Sequence, residues 1–109
     1  MQTTEFEQRI GQILFDCGPK NAKKIIVRAE VFPEHDGGRY EFDYIDENGD
    51  LDWFDPDGRA VADLTDVLVA YKEFFINNNL TNGKPIWSKC EIMVDVPEDK
   101  ISIKLQYDD

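Results

Sequence analysis

The chain of 109 residues is long enough for one hydrophobic core and too short for two, so a single domain is predicted over residues 1–109. Its 23 acidic and 12 basic residues give a formal net charge of -11. Since proteins that bind nucleic acids present a basic face to the phosphates, this balance argues against nucleic acid as a partner.

The first elements are predicted to be a helix and a strand. Apolar residues recur at helical intervals through Thr4–Cys17, and Gly18 and Pro19 follow as a stop signal. Within Ile25–Val31, apolar residues occupy every second position, as they do in a strand that buries one face. The patterns therefore predict an amphipathic helix and then a strand.

The next segment is predicted to be an acidic hairpin. Asp36–Gly38 favours a turn that leads into Tyr40–Tyr44, where aromatic residues occupy one face and acidic residues the other. Asn48 and Gly49 favour a type I′ turn, in which both central residues have positive φ, and Asp50–Phe54 is the predicted return strand. Together with the preceding strand, these segments predict a three-strand meander.

A second and longer helix is predicted after the meander. Asp55–Gly58 interrupts the sheet, and Val61–Ile76 then places its apolar residues on one helical face. Asn77–Asn79 and Asn82–Pro85 are turn-forming and end the helix. This helix is expected to pack on the sheet beside the first one.

Two strands are predicted to close the chain. Ile86–Val96 alternates, with Trp87 on the face opposite its apolar residues, and Pro97–Asp99 turns the chain into Lys100–Tyr107. The predicted element order is α-β-β-β-α-β-β. Because short turns join consecutive strands, we expect an α+β fold: a mainly antiparallel sheet of about five strands with two helices on one face.

The segment between Arg39 and Arg59 is the strongest candidate for a functional surface. It contains no Lys or Arg, which predicts a surface of one sign, and aromatic residues interleave with its acids. Disordered acidic tails are poor in aromatic residues, so this segment should be folded. An acidic patch with aromatic anchors suits a basic protein partner better than a small metabolite, although solubility alone would also account for the charge.

Within this segment, the best anchor is one of two adjacent aromatic residues. Trp53 and Phe54 must point to opposite faces of a strand, so one of them is expected to be exposed. The candidate partner-binding residues are Glu41, Asp43, Asp46, Glu47, Asp50, Asp52, Trp53, Phe54, Asp55 and Asp57.

The sequence predicts no metal, no cofactor and no catalytic residue. Oxygen-bearing side chains alternate from residue 46 to 52 as in a calcium-binding loop, but Leu51 stands where that loop needs glycine and Asp57 where it needs glutamate. His35 is the only histidine and lies in a turn-forming segment. Ser88 lacks a nucleophile elbow, and Cys90 fits a small hydrophobic residue of a strand. We therefore expect that the protein is not an enzyme.

The lack of a recognisable targeting signal and the cysteine usage favour the cytoplasm. The chain begins without a basic region followed by an apolar one, and no apolar run is long enough to cross a bilayer, so no membrane partner is expected. Cys17 and Cys90 have neither the spacing of a metal knuckle nor the density of a secreted disulfide scaffold. We expect both thiols to be reduced.

The last third of the chain has a recognisable order of features. An aromatic-rich helical segment, Val67–Phe75, is followed by a link that contains Asn-Gly, by Trp87 at the opening of a strand, by the alternating Cys90–Val94 and by the closing segment Ile101–Asp109. This order resembles that of the YezG-like family of bacterial antitoxin and immunity proteins; the rest of the chain is similar in element order and acidity. The turn Pro97–Ile101 departs from the Gly-Lys-Phe-like step that is frequent in the family.

This resemblance implies a cytoplasmic immunity protein encoded beside a polymorphic toxin, as in contact-dependent growth inhibition systems. The toxic domain of such systems is commonly a nuclease, whose basic groove an acidic protein can occupy without any chemistry. The expected partner is therefore a basic cognate toxin domain, with no small-molecule substrate. The alternatives are an acidic interaction or adaptor domain without a toxin partner and, third, a small hydrolase that uses some of the carboxylates.

Overall fold

The computed structural model describes residues 3–31, 38–78, 80 and 87–106, and these contain two helices and five strands. The elements are α1 (Thr3–Cys17), β1 (Ala22–Val31), β2 (Gly38–Asp46), β3 (Leu51–Trp53), α2 (Gly58–Asn77), β4 (Lys89–Asp95) and β5 (Lys100–Gln106). The predicted α+β class and the order α-β-β-β-α-β-β are confirmed.

The five strands form one antiparallel sheet in the order β3-β2-β1-β4-β5. β1 is the central strand: Val27 lies opposite Phe42 of β2 and opposite Ile92 of β4. Directly opposed residues share a face, so these side chains all project to the same side of the sheet. The predicted meander therefore occupies one half of the sheet, and β4 and β5 occupy the other.

Both helices cover the apolar face of the sheet. α1 packs against β4 and β5, α2 packs against β1, and the helices contact each other. The buried core is formed by Phe6, Ile10, Leu14, Ala22, Ile25, Val27, Ala29, Val31, Leu64, Val67, Leu68, Tyr71, Trp87, Cys90, Ile92 and Val94. The opposite face of the sheet has no helix of the described chain on it, and we call it the open face.

The turn between β2 and β3 differs from the predicted type I′ turn. Gly49 has a φ of +82°, but Asn48 does not have a positive φ. The Gly49 N–H donates to the Asp46 carbonyl (3.0 Å), and the Asp46 N–H donates to the Asp50 carbonyl (3.0 Å), as in a type I turn followed by a glycine bulge. The Asp46 carboxylate also accepts from the N–H groups of Asn48 (2.9 Å) and Asp50 (3.0 Å), which favours this turn.

Trp87 was expected on the polar face of a strand, and this prediction is wrong. β4 begins only at Lys89, so the alternation does not extend back to Trp87. The Trp87 side chain is fully buried, with its ring 5.8 Å from the ring of Tyr71 and 6.1 Å from that of Phe75. Burying so large an aromatic side chain stabilises the fold, and this decides its position although the alternation of the neighbouring residues predicts the opposite face.

Some of the predicted segments fall outside the described residues. These are the turn residues Asp36 and Gly37, the link Asn82–Pro85, and the terminal strand residue Tyr107, together with His35. No helix in the described part of the chain is both long and apolar enough to cross a lipid bilayer.

Candidate partner-binding surface

The open face of the sheet carries the side chains that alternate with the buried ones. Opposed residues form a row across it, from Ser102 through Met93, Ile26 and Asp43 to Trp53. The acidic hairpin β2–β3 thus lies at one edge of this face. This geometry separates the sequence-predicted site residues into groups, according to which side of the hairpin each occupies.

Trp53 is the exposed member of the aromatic pair. Its side chain is 71% exposed on the open face, where it lies opposite Asp43. Phe54 points to the helix side, where its ring lies 5.6 Å from that of Phe42 and 6.0 Å from that of Tyr44. The Phe54 N–H also donates to the Phe42 carbonyl (3.1 Å). The expectation that one of the pair is exposed is confirmed, and Phe54 is part of the fold.

Four apolar residues that the sequence did not single out accompany Trp53 on the open face. Leu51 is 65% exposed and lies opposite Ile45, while Ile26 lies between Asp43 of β2 and Met93 of β4. With Trp53 they form what we call the open-face patch: Ile26, Ile45, Leu51, Trp53 and Met93. The signal for them was present, because each is an apolar residue on the polar face of an alternating strand.

The acidic segment is not a surface of one sign once the chain is folded. Arg28 of β1 faces β2, and its Nη1 lies 3.0 Å from Asp43 Oδ2 and 3.5 Å from Glu41 Oε2. The hydrogen bond with Asp43 raises the pKa of the Arg28 guanidinium. Glu41 and Asp43 therefore share a cation, and the prediction of a one-sign surface is wrong because strand pairing brings in a residue from outside the segment.

Two of the predicted partner-binding acids have structural roles. The Asp46 carboxylate closes the β2–β3 turn, as described above. Asp57 is the N-cap of α2, and its Oδ1 accepts from the Ala60 N–H (2.7 Å). Their replacement would disturb a turn and a helix start, so they are poor reporters of binding.

The remaining acids are exposed around the hairpin. Glu47 and Asp50 lie in its turn, and Asp55 lies in the link to α2. Asp52 is opposite Tyr44, so it projects to the other side of β3 from Trp53, and its Oδ1 accepts from the Trp53 N–H (2.8 Å). These carboxylates belong to the hairpin that carries Trp53 or to the link after it, and none of them is paired with a cation in the described residues.

The clefts of the described part of the chain include a groove of about 560 Å³ between α1 and α2 and one of about 730 Å³ between α1 and the β4–β5 turn. A third, of about 290 Å³, lies on the sheet and is lined by charges of both signs. Within the described residues, no group of three or more His, Cys, Asp or Glu side chains is placed to hold a metal ion. The expectations of no metal, no cofactor and no catalytic residue stay predictions.

No protein-family model matches the chain, and no curated protein matches it at a significant level. The resemblance to YezG-like proteins therefore rests on the order of features in the sequence.

Proposed function

We propose that this chain is a cytoplasmic immunity protein that binds the toxic domain of a cognate bacterial toxin and neutralises it by occlusion. The observation that carries the proposal is the exposed Trp53 side chain, 71% accessible on the open face of an acidic hairpin. Tryptophan is enriched among the residues that dominate binding energy in protein interfaces. A domain that exposes one on an edge strand has an anchor available for a partner.

Charge favours a basic partner. The net charge of -11 produces a field that accelerates the approach of a basic protein, and the exposed acids Glu47, Asp50, Asp52 and Asp55 concentrate negative charge at the edge of the sheet that carries Trp53. A nuclease domain must present a basic groove to phosphates, so it has the complementary charge. The apolar residues of the open-face patch would then form the centre of the interface, with the carboxylates at its rim.

The same surface would serve an adaptor domain that has no toxin partner. The two functions differ in gene context and in the identity of the partner: a toxin gene beside this one supports immunity. A hydrolase would need a carboxylate held in an apolar pocket, and the exposed acids around Trp53 do not provide that environment.

The proposal is tested by truncating the anchor. Trp53→Ala should weaken binding to the toxin domain encoded by the neighbouring gene by about 30-fold, which corresponds to about 2 kcal/mol, because a buried aromatic anchor is lost. Phe15→Ala is the matched control: Phe15 is an aromatic residue of α1 that is 54% exposed and remote from β3. It should bind with unchanged affinity.

Calorimetry on both variants gives the affinities, and thermal melts show that each is folded. Cells that produce the toxin should lose protection with Trp53→Ala and keep it with Phe15→Ala. If Trp53→Ala binds as well as the unmodified protein, the open-face patch is not the interface. If Phe15→Ala is the weaker binder, the toxin docks on the helix side.

A further inference from the structure

β5 is an edge strand at the opposite side of the sheet from Trp53. It has seven residues, Lys100–Gln106, and pairs with β4 along its whole length. No strand of the described chain pairs with its other side. Every second residue of an edge strand has its N–H and C=O groups available to another chain.

Two hydrogen bonds just outside the ends of β4 show which residues of β5 have these groups. The Val31 N–H donates to the Ser88 carbonyl (2.9 Å), and the Val96 N–H donates to the Lys23 carbonyl (2.9 Å). Each bond joins a residue of β1 to an even-numbered residue next to β4, Ser88 before it and Val96 after it. Because backbone groups alternate in direction along a strand, the even-numbered residues of β4 bond to β1 and the odd-numbered ones to β5.

The pairing register transfers this alternation to β5. Odd-numbered residues of β4 lie opposite Lys100, Ser102, Lys104 and Gln106. These four residues therefore direct their backbone groups to β4, in agreement with the bond from the Ser88 N–H to the Gln106 carbonyl (3.3 Å). The N–H and C=O groups of Ile101, Ile103 and Leu105 point to the open edge.

The side chains of these three edge residues are incompletely covered. Ile101, Ile103 and Leu105 point to the helix side but are only half-buried, whereas the corresponding residues of β4 are buried. At the Ile101 end lies the groove of about 730 Å³ between α1 and the β4–β5 turn, whose lining includes the half-exposed Phe15 as well as polar side chains such as Glu7 and Asp99. An additional strand at this edge would bury apolar surface as well as pair backbone groups.

The charge on β5 indicates which occupant fits. Lys100 and Lys104 project to the open face, where Asp95 and Glu91 of β4 lie directly opposite them, so acidic side chains on the other side would continue a row of alternating sign. A second copy that paired antiparallel about Ile103, along the whole strand, would place Lys100 opposite Gln106 and Lys104 opposite Ser102, so it would gain no cross-strand ion pair. A segment with acidic side chains on the open-face side would instead be attracted.

We propose that β5 binds an extended segment of another protein as an added strand. Alternate side chains of that segment are acidic and lie beside Lys100 and Lys104, and the intervening ones are apolar and cover the half-buried side chains of Ile101, Ile103 and Leu105. This mode of binding takes affinity from backbone hydrogen bonds and selectivity from the alternating side chains. The surface is separate from the open-face patch and does not depend on the proposed function.

The probe is a capped seven-residue peptide that alternates glutamate and valine, added to the full chain. Amide hydrogen exchange followed by NMR should slow by about tenfold or more at Ile101, Ile103 and Leu105 when the peptide is bound, because these N–H groups become hydrogen-bonded. A peptide that alternates lysine and valine should not produce this protection. Nor should the glutamate peptide when N-methyl groups block its inward-facing amides.

Two variants complete the test. Lys100→Glu combined with Lys104→Glu should weaken binding of the glutamate peptide by about tenfold or more through charge repulsion, with a thermal melt to confirm folding. Trp53→Ala should bind the peptide as the unmodified protein does. The proposal is overturned if no edge amide is protected at millimolar peptide, if the lysine peptide binds equally well, if Trp53→Ala abolishes binding, or if the chain self-associates through β5 instead.

Discussion

At the C-terminal end of β3, two adjacent aromatic residues have opposite surroundings. Phe54 joins the rings of Phe42 and Tyr44 on the helix side, whereas Trp53 is 71% exposed. The alternation of a strand separates the two side chains by its pleat alone. Phe54 thus stabilises the fold, and its neighbour Trp53 is available to a partner.

Cys90 shows how a single buried group couples stability to pH. Burial in the core raises the pKa of its thiol from 9.0 to about 12. The unfolded chain therefore releases this proton near its ordinary pKa, while the folded chain keeps it. The contribution of this thiol to the free energy of unfolding is fully present below about pH 9 and should fall by about 1.4 kcal/mol per pH unit between about pH 9 and 12.

Cys90→Ala should remove that contribution. Between about pH 8 and 10.5, the free energy of unfolding of the unmodified protein should fall by about 2 kcal/mol more than that of Cys90→Ala. Urea unfolding at the two pH values measures the difference, and the variant retains every other titrating group, including Tyr40, whose pKa is also raised by burial. Equal losses in the two proteins would show that the thiol is not protected from ionisation.

At the scale of elements, α1 approaches the sheet closely at its C-terminal end. A Cβ added at Gly18 would lie 2.9 Å from the Leu14 carbonyl oxygen and 2.6 Å from Ile25 Cδ1. A Cβ at Gly11 would meet only the Ile101 side chain, at ordinary contact distances of 3.5 Å to Cδ1 and 3.9 Å to Cβ. A side chain is therefore excluded at Gly18, just after α1, whereas there is room for one at Gly11 inside α1.

Alanine substitutions at the two glycines should have opposite effects. Gly18→Ala should destabilise the protein by about 1–3 kcal/mol, because the backbone oxygen of Leu14 cannot move away without disturbing the helix. Gly11→Ala should stabilise it by about 0.5–1 kcal/mol, because alanine restricts the unfolded chain and favours a helix interior. Urea unfolding of both variants provides the comparison. A neutral Gly18→Ala would mean that this helix end adjusts freely.

At the scale of the whole molecule, the charges are unevenly arranged across the sheet. The β2–β3 edge carries exposed carboxylates around its turn, while β5 at the other edge carries Lys100 and Lys104. Arg28 between them is paired with Asp43 and Glu41. A basic partner is therefore attracted to the protein as a whole and oriented toward the hairpin edge.

Association with the toxin domain should depend strongly on salt. Raising the ionic strength from about 0.05 M to 0.5 M should slow association by about tenfold or more, with a smaller change in dissociation, because screening removes steering. Lys substitutions at Asp50, Asp52 and Asp55 together should slow association and flatten this dependence. Surface binding kinetics on each protein give both rates.

The matched control reverses three exposed acids on the helix side, Asp16, Asp63 and Asp66, and changes the net charge by the same amount. It should slow association less than the hairpin substitutions do, since those charges lie on α1 and α2 and not at the hairpin edge of the sheet. Equal effects of the two triple variants would locate the steering in the net charge and not in the hairpin. An association rate indifferent to salt would contradict steering altogether.

Local patterns in the sequence were sufficient for the elements and their order. The helical spacing of Thr4–Cys17 and the alternation of Ile25–Val31 depend only on neighbours in the chain, and both predicted elements are present. The acidic hairpin and the opposite orientations of Trp53 and Phe54 follow from the same two-residue period. Periodicity is a property of the backbone, so the chain by itself determines it.

Contacts between elements were decided only by the tertiary structure. Pairing β1 with β2 placed Arg28 against Asp43, and pairing β1 with β4 extended the open-face patch to Met93. Packing of α2 buried Trp87 against the alternation of its segment, and the Asp46 carboxylate selected a turn that Asn48 and Gly49 alone did not indicate. These outcomes depend on register and burial between residues far apart in the chain, which no local pattern encodes.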